Sequence, residues 1–199
     1  MATLPEDFEA LLGWCSVQKG LKLMELASQE DVLLSVELGV YGGRSLLPLA
    51  LATSWKKKGR VVGIDAWCTP ASVEGTNTSE TKSYWSNIDY NHVYDVAISL
   101  MKKHQVDQYV DLWRSRSEDV AELFSDGSID LLHQDGNHSE EISCKEVELY
   151  FTKLRRGGYW IFDDTHWPST QAAQRLLLEK GFSEIFAEDG GTWKIFQKN

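Results

Sequence analysis

Two short strings concentrate the ionisable chemistry of this chain: His133-Gln134-Asp135-Gly136-Asn137-His138 and Asp163-Asp164-Thr165-His166-Trp167, each following an apolar run. Three carboxylates drawn together repel one another unless a cation lies among them. An oxygen-rich donor set of that kind suits Mg²⁺, Mn²⁺ or Ca²⁺ better than zinc. A carboxylate or imidazole in the same place can also take a proton from a hydroxyl group. The order of preference for that general base is Asp135, His138, then His166. The structural alternative is that Asp135-Gly136-Asn137 and one of Asp163 and Asp164 cap the helices that follow, with His138 bonded in its loop.

A third string, Val36-Glu37-Leu38-Gly39-Val40-Tyr41-Gly42-Gly43-Arg44-Ser45, is built for backbone approach to a ligand. Gly39 permits a tight turn, and Gly42 and Gly43 let a helix begin close to whatever is bound. It is not the dinucleotide fingerprint GxGxxG, because Tyr41 stands where the second glycine belongs. By itself such a turn is an ordinary strand-to-helix connection. Asp65, closing the next apolar run 65 − 37 = 28 residues after Glu37, shifts the reading towards a nucleoside-type cofactor. Trp67 and Ser117 are candidates to flank an adenine, with packing and helix capping as their plainer uses.

These groups must be held by something, and the pattern alternates short β-rich runs with helical periods, as in a parallel sheet with crossover helices. Strands are predicted at 33–38, 61–67, 109–115, 129–135 and 159–164, with FSEIFA and TWKIFQ as a terminal hairpin. Helices are predicted at 44–59, 86–104, 120–124, 140–154 and 170–180, the fourth stopped by Arg155-Arg156-Gly157-Gly158. Residues 1–31 are expected to form a helical cap, and the polar stretch 68–85 reads as either a disordered tip or a functional lid loop. In an open α/β sheet the carboxyl ends of neighbouring strands share one rim, where all three strings would meet.

With those motifs in hand, the chain resembles the class I S-adenosylmethionine-dependent methyltransferases from Leu33 to Phe196. DGNHS and GGYWIFDDTHW are similar to the methyltransferase-24, macrocin O-methyltransferase and cephalosporin-hydroxylase-like branch. The resemblance implies one α/β domain over 1–199, with a Rossmann-like, seven-stranded, mostly parallel sheet, an antiparallel last strand and helices on both faces. It implies S-adenosyl-L-methionine as cofactor, held by Glu37, Gly39, Tyr41, Gly42 and Ser45, with Asp65 accepting from the ribose hydroxyls and Trp67 and Ser117 near the adenine. It implies O-methylation of a small-molecule hydroxyl, with Asp135 and His138 catalytic and Mg²⁺ or another divalent ion on Asp135, Asp163 and Asp164. Members of that branch are often longer, so the substrate cap is expected to be reduced or supplied by a second copy in a homo-oligomer.

Composition narrows the field further. With 20 basic and 30 acidic side chains the formal charge is −10, which disfavours nucleic acid as a partner. No apolar run approaches the roughly 18 residues that span a bilayer, and the N-terminal residues are acidic, so a cytoplasmic protein without membrane contact is expected. Cys15, Cys68 and Cys144 are too scattered for a thiolate metal site or a disulfide framework. Two rival functions survive: a nicotinamide-dependent oxidoreductase, which lacks GxGxxG here, and a non-catalytic nucleoside-binding domain of the same fold.

Overall fold

The computed structural model describes residues 3–75 and 78–199. Thr76 and Asn77, inside the expected lid, lie outside the described residues, as do Met1 and Ala2. A 3₁₀ turn at Phe8–Ala10 leads to α1 (Val17–Ala27), then β1 (Leu34–Leu38), α2 (Leu46–Lys56) and β2 (Arg60–Asp65). Next come α3 (Thr69–Ser72), α4 (Ser79–Ser86), α5 (Tyr90–Lys103), β3 (Val110–Arg114), α6 (Ser117–Val120) and β4 (Ile129–Gln134). The chain closes with α7 (Glu140–Tyr150), β5 (Leu154–Asp163), α8 (Gln171–Glu179), β6 (Phe182–Ala187) and β7 (Trp193–Lys198).

The seven strands form one sheet in the order β3-β2-β1-β4-β5-β7-β6. β1 to β5 are parallel, and β7 runs antiparallel to both β5 and β6. Because side chains alternate across a strand, Val61, Leu131 and Ile161 enter the layer beneath α1, α2 and α5. Val62, Leu132 and Phe162 enter the layer beneath α7 and α8. The direction of strand succession reverses between β1 and β4, and a crevice at the carboxyl ends of those strands is where ligands of such sheets bind.

Three local expectations are corrected. The stretch 68–85 is not an open loop: α3 and α4 occupy it, α4 being started by Thr78, whose side chain accepts from Thr81 N at 3.2 Å. The helix expected from Ser86 begins at Tyr90, because Asp89 accepts from Asn91 N and His92 N. The helix expected to run to Leu154 ends at Tyr150, and Gly157 and Gly158 sit inside β5. There Gly157 takes φ +73° where the pairing of β5 with β4 shifts register between Ile129 and Leu131. A glycine pair serves a bulge and a helix stop equally well. No helix among the described residues is long and apolar enough to cross a membrane.

Candidate functional site

The site is built around the turn that leaves β1. Gly39 has φ +86°, and a Cβ there would collide with the carbonyl oxygen of Asp135 and stand 2.6 Å from Gly136 Cα. Only glycine lets the loops after β1 and β4 press together, and they are tied by Asp135 N donating to Leu38 O at 2.8 Å. Asp65 then organises the turn. Its Oδ2 accepts from Val40 N (3.0 Å) and Tyr41 N (2.9 Å), and its Oδ1 from Trp67 N (2.7 Å). Burial raises its pKa against the pull of those three amides. A carboxylate offers about four acceptor positions; these amides take three, and Asp65 lines the cavity.

Several expected cofactor contacts are not on the cavity wall. Glu37 is fully buried: Oε1 accepts from Ser45 Oγ at 2.9 Å and Oε2 pairs with His133 Nδ1 at 3.0 Å. It therefore acts through Ser45, which does line the cavity, and through His133, whose ring it orients. Gly42 is packed under the N-terminal segment, where a Cβ would lie 2.5 Å from Leu12 O. Trp67 is 1% exposed, turned inward against Tyr94, with Nε1 donating to Tyr41 O at 3.0 Å, so it cannot flank an adenine. Gly39, Tyr41, Ser45, Asp65 and Ser117 do line the cavity.

The carboxyl ends of β4 and β5 bring Asp135, Asp163, Asp164 and His138 to one wall, as expected, together with a residue that had not been singled out. Lys19, 4% exposed, sends its ammonium onto Asp163 Oδ2, with Asp135 Oδ2 at 3.6 Å. It stands in the first turn of α1, whose N-cap Ser16 accepts from Lys19 N at 3.1 Å. A cation is unfavourable at that end of a helix dipole, and the two carboxylates offset this. Burial acts to lower the Lys19 pKa, but Asp135 and Asp163 outweigh it and hold the amine charged. Burial likewise opposes ionisation of Asp163, yet the neighbouring ammonium keeps that carboxyl below its ordinary range. Asp135 goes the other way: burial first, then the negative Asp163, raise it well above the usual value. Two carboxyls sharing one ammonium thus divide into a fixed anion and a proton acceptor.

Asp164 does not join that pair. It turns back with φ +49° and meets His138 Nε2 at 3.0 Å, while Asp135 Oδ1 lies 3.6 Å from the same nitrogen. The donor atoms that could converge on an ion are instead those of His133, Asp135 and Asp163, all within 4.8 Å of one another. Lys19 already stands among them. A hard divalent ion needs oxygens at about 2.0–2.6 Å, so with the ammonium in place the expected set of Asp135, Asp163 and Asp164 does not fit one. His166 is exposed and off the cavity wall, which leaves Asp135 and His138 as the candidates for general base.

The opposite wall rests on a buried polar relay that also escaped sequence reasoning. Ser117 is not a capping residue: its Oγ donates to Glu146 Oε1 at 2.6 Å. Gln134 Nε2 donates to Glu146 Oε2 at 2.8 Å, and Trp160 Nε1 donates to Gln134 Oε1 at 3.0 Å. Burial raises Glu146 from 4.5 to about 7, against the hydrogen bonds from Ser117 and Gln134. The folded state therefore binds the extra proton between those values, and stability falls as pH rises through that window. The loss amounts to about 3 kcal/mol at most, from 1.36 kcal/mol per pKa unit. Glu146→Gln is expected to remove this slope, leaving the variant as stable as wild type near pH 4.5 and more stable at pH 8. Parallel melting-temperature profiles for the two proteins would contradict it.

Together these walls enclose a cavity of about 890 Å³, within the range of about 300–1,000 Å³ usual for small-molecule sites. The chain supplies its own cap: the N-terminal segment contributes Trp14 and Lys19, and α4 contributes Tyr84 and Trp85. Trp14 lies 5.1 Å from the Tyr41 ring and 5.9 Å from Trp85, and is 59% exposed. Asn137 fastens the α3 segment to the loop after β4, donating to Ala71 O at 3.1 Å and Glu74 O at 3.0 Å. The aromatic residues beside the long polar stretch were visible in the sequence, but nothing there paired Lys19 with acids more than a hundred residues away.

A viral protein of unknown activity from Acanthamoeba polyphaga mimivirus is 27% identical over 138 residues, 68% of this chain, and the chain spans 53% of that protein's length. Among solved structures, the O-methyltransferase TomG of Streptomyces achromogenes, in complex with S-adenosylmethionine, superposes with a TM-score of 0.68 at 16% identity, covering 100% of this chain and 92% of that one. An O-methyltransferase of Bacillus cereus in complex with S-adenosylhomocysteine gives 0.67 at 16% identity, over 98% and 92% of the two chains. At those identities the likeness is one of fold. The sequence itself goes further, for the methyltransferase-24 model, described as a methyltransferase domain, matches residues 36–165, from the middle of β1 to just beyond β5, and the chain belongs to that family.

Proposed function

We propose that this protein transfers a methyl group from S-adenosylmethionine to a hydroxyl oxygen of a small molecule. The observation that carries the reading is the meeting of the Gly39 turn and the Asp135 loop in one cavity, with nucleoside-binding features on one side of the contact and a proton acceptor on the other. The residues present fit the cofactor. Gly39, Ser45, Asp65 and Ser117 line one wall of the cavity, Asp65 offering a carboxylate there, and the cavity has room for both reactants.

When bound, S-adenosylmethionine supplies an electrophilic methyl carbon on a sulfonium. The acceptor oxygen would bond to that carbon as the carbon–sulfur bond breaks with its electron pair staying on sulfur, and Asp135 would take the hydroxyl proton. In-line alignment of the two partners supplies most of the acceleration. Asp135 suits the proton because burial and the neighbouring Asp163 raise its pKa above the ordinary carboxylate value, which makes it a stronger base than a free carboxylate. His138, between Asp135 and Asp164, orients the acceptor and gives the proton a second station. Exposed rings of Trp14 and Tyr84 at the mouth favour an acceptor with an apolar face.

The wild-type protein is expected to bind S-adenosylhomocysteine in a calorimetric titration and to ignore NAD. Tight NAD binding without S-adenosylhomocysteine binding would favour the oxidoreductase. S-adenosylhomocysteine binding with no methyl transfer to any phenol or sugar acceptor would favour the non-catalytic domain.

A further inference from the structure

The cluster at the ends of β4 and β5 has the form of a metal centre with its metal position taken. His133 is buried at 0% exposure, its Nδ1 is oriented by the Glu37 carboxylate, and its Nε2 has no hydrogen-bond partner. A histidine whose second nitrogen is fixed by a carboxylate is the usual metal-binding form of that residue. Nε2 lies 3.9 Å from Asp135 Oδ2, and Asp163 completes a set whose donor atoms fall within 4.8 Å of one another. Into this set α1 inserts Lys19, ion-paired to Asp163 and 3.6 Å from Asp135.

We infer that the Lys19 ammonium is the resident cation of this site, standing where a divalent ion would bind His133, Asp135 and Asp163, so that the protein works without metal. A single fixed charge from α1 does there what an ion would do for charge balance, standing against both the Asp135 and the Asp163 carboxylates. It also ties the N-terminal cap to the strand ends, since the bond spans 144 positions of sequence. The ammonium's ion pairs are with the two acids, and His133 Nε2 is left without a partner. Lys19 is thus a positioning residue, acting through the two acids.

The inference shares its site with the methyl-transfer reading, but its test needs no turnover. The full chain is titrated with Mn²⁺ alone, and the free ion is followed by electron paramagnetic resonance. Wild type is expected to leave Mn²⁺ free up to about 1 mM, the weak end of divalent sites, and its activity is expected to survive chelator. Lys19→Met, close in length and uncharged, is expected to bind Mn²⁺ at least about tenfold more tightly than wild type. Adding His133→Ala to Lys19→Met is expected to abolish the gain. Wild-type binding equal to that of Lys19→Met overturns the inference, and so does folded Lys19→Met with no gain. Should Lys19→Met fail to fold, the wild-type titration decides: Mn²⁺ binding below 1 mM overturns it and none upholds it. Failure of the methyl-transfer reading would appear separately, as absent S-adenosylhomocysteine binding with the Mn²⁺ behaviour unchanged.

Discussion

Asp135→Asn is expected to lower the rate of methyl transfer by about 10²- to 10⁴-fold, the usual worth of a general base, while S-adenosylhomocysteine affinity stays near wild type. The amide has the shape of the protonated carboxyl, and Lys19 keeps Asp163 as its partner, so the fold survives. A pH profile separates this from a positioning effect. Asp135 is raised well above the ordinary carboxylate value by burial and Asp163, and it must be deprotonated to act. Wild-type activity should therefore fall as pH drops through that raised value, and the variant should lack this limb. Retained activity, or an unchanged acid limb, would move the base to His138.

The second large effect is that of Asp65→Ala, which is expected to abolish detectable S-adenosylhomocysteine binding and to lower the melting temperature. Three backbone amides, of Val40, Tyr41 and Trp67, lose their acceptor at once, and Tyr41 and Trp67 both sit at positive φ (49° and 41°) that those bonds help to hold. Leaving such donors unsatisfied costs about 1–3 kcal/mol each at burial. A net loss of about 3 kcal/mol lowers the melting temperature by roughly 6–12 °C in a chain of this size. Lost binding with an unchanged melting temperature would assign Asp65 to the ribose alone. Unchanged binding would remove it from the cofactor site.

Asp65 shows how far the sequence could be read. Its type and place were legible, because an acid at a strand end beside a glycine turn is a local pattern. Its bonds to three amides were not, since they depend on how the turn folds back. The sheet was legible for the same reason: alternation between runs of period two and longer helical periods survives without tertiary information. Where one signal serves two structures, reading stopped, as with Gly157-Gly158, equally a helix end or a bulge. Trp67 illustrates a third limit, because an aromatic ring next to a motif carries no mark of which way it faces, and here it faces the core. Lys19 was the largest omission. One lysine in a helical cap has no local signature, and its meaning comes only from the crossing of α1 over the ends of β4 and β5. The grouping of three acids led to an expected divalent ion, but Asp164 turns to His138 and the cation beside Asp135 and Asp163 is Lys19.

The most direct measurement is a crystal structure of the protein soaked with S-adenosylhomocysteine. The ribose hydroxyls should lie at Asp65, the adenine between Ser117 and the Asn137 loop, and the sulfur should point across the Gly39 turn towards Asp135. Density for the nucleoside outside that cavity, or a sulfur directed away from Asp135, would contradict the proposed chemistry at its root.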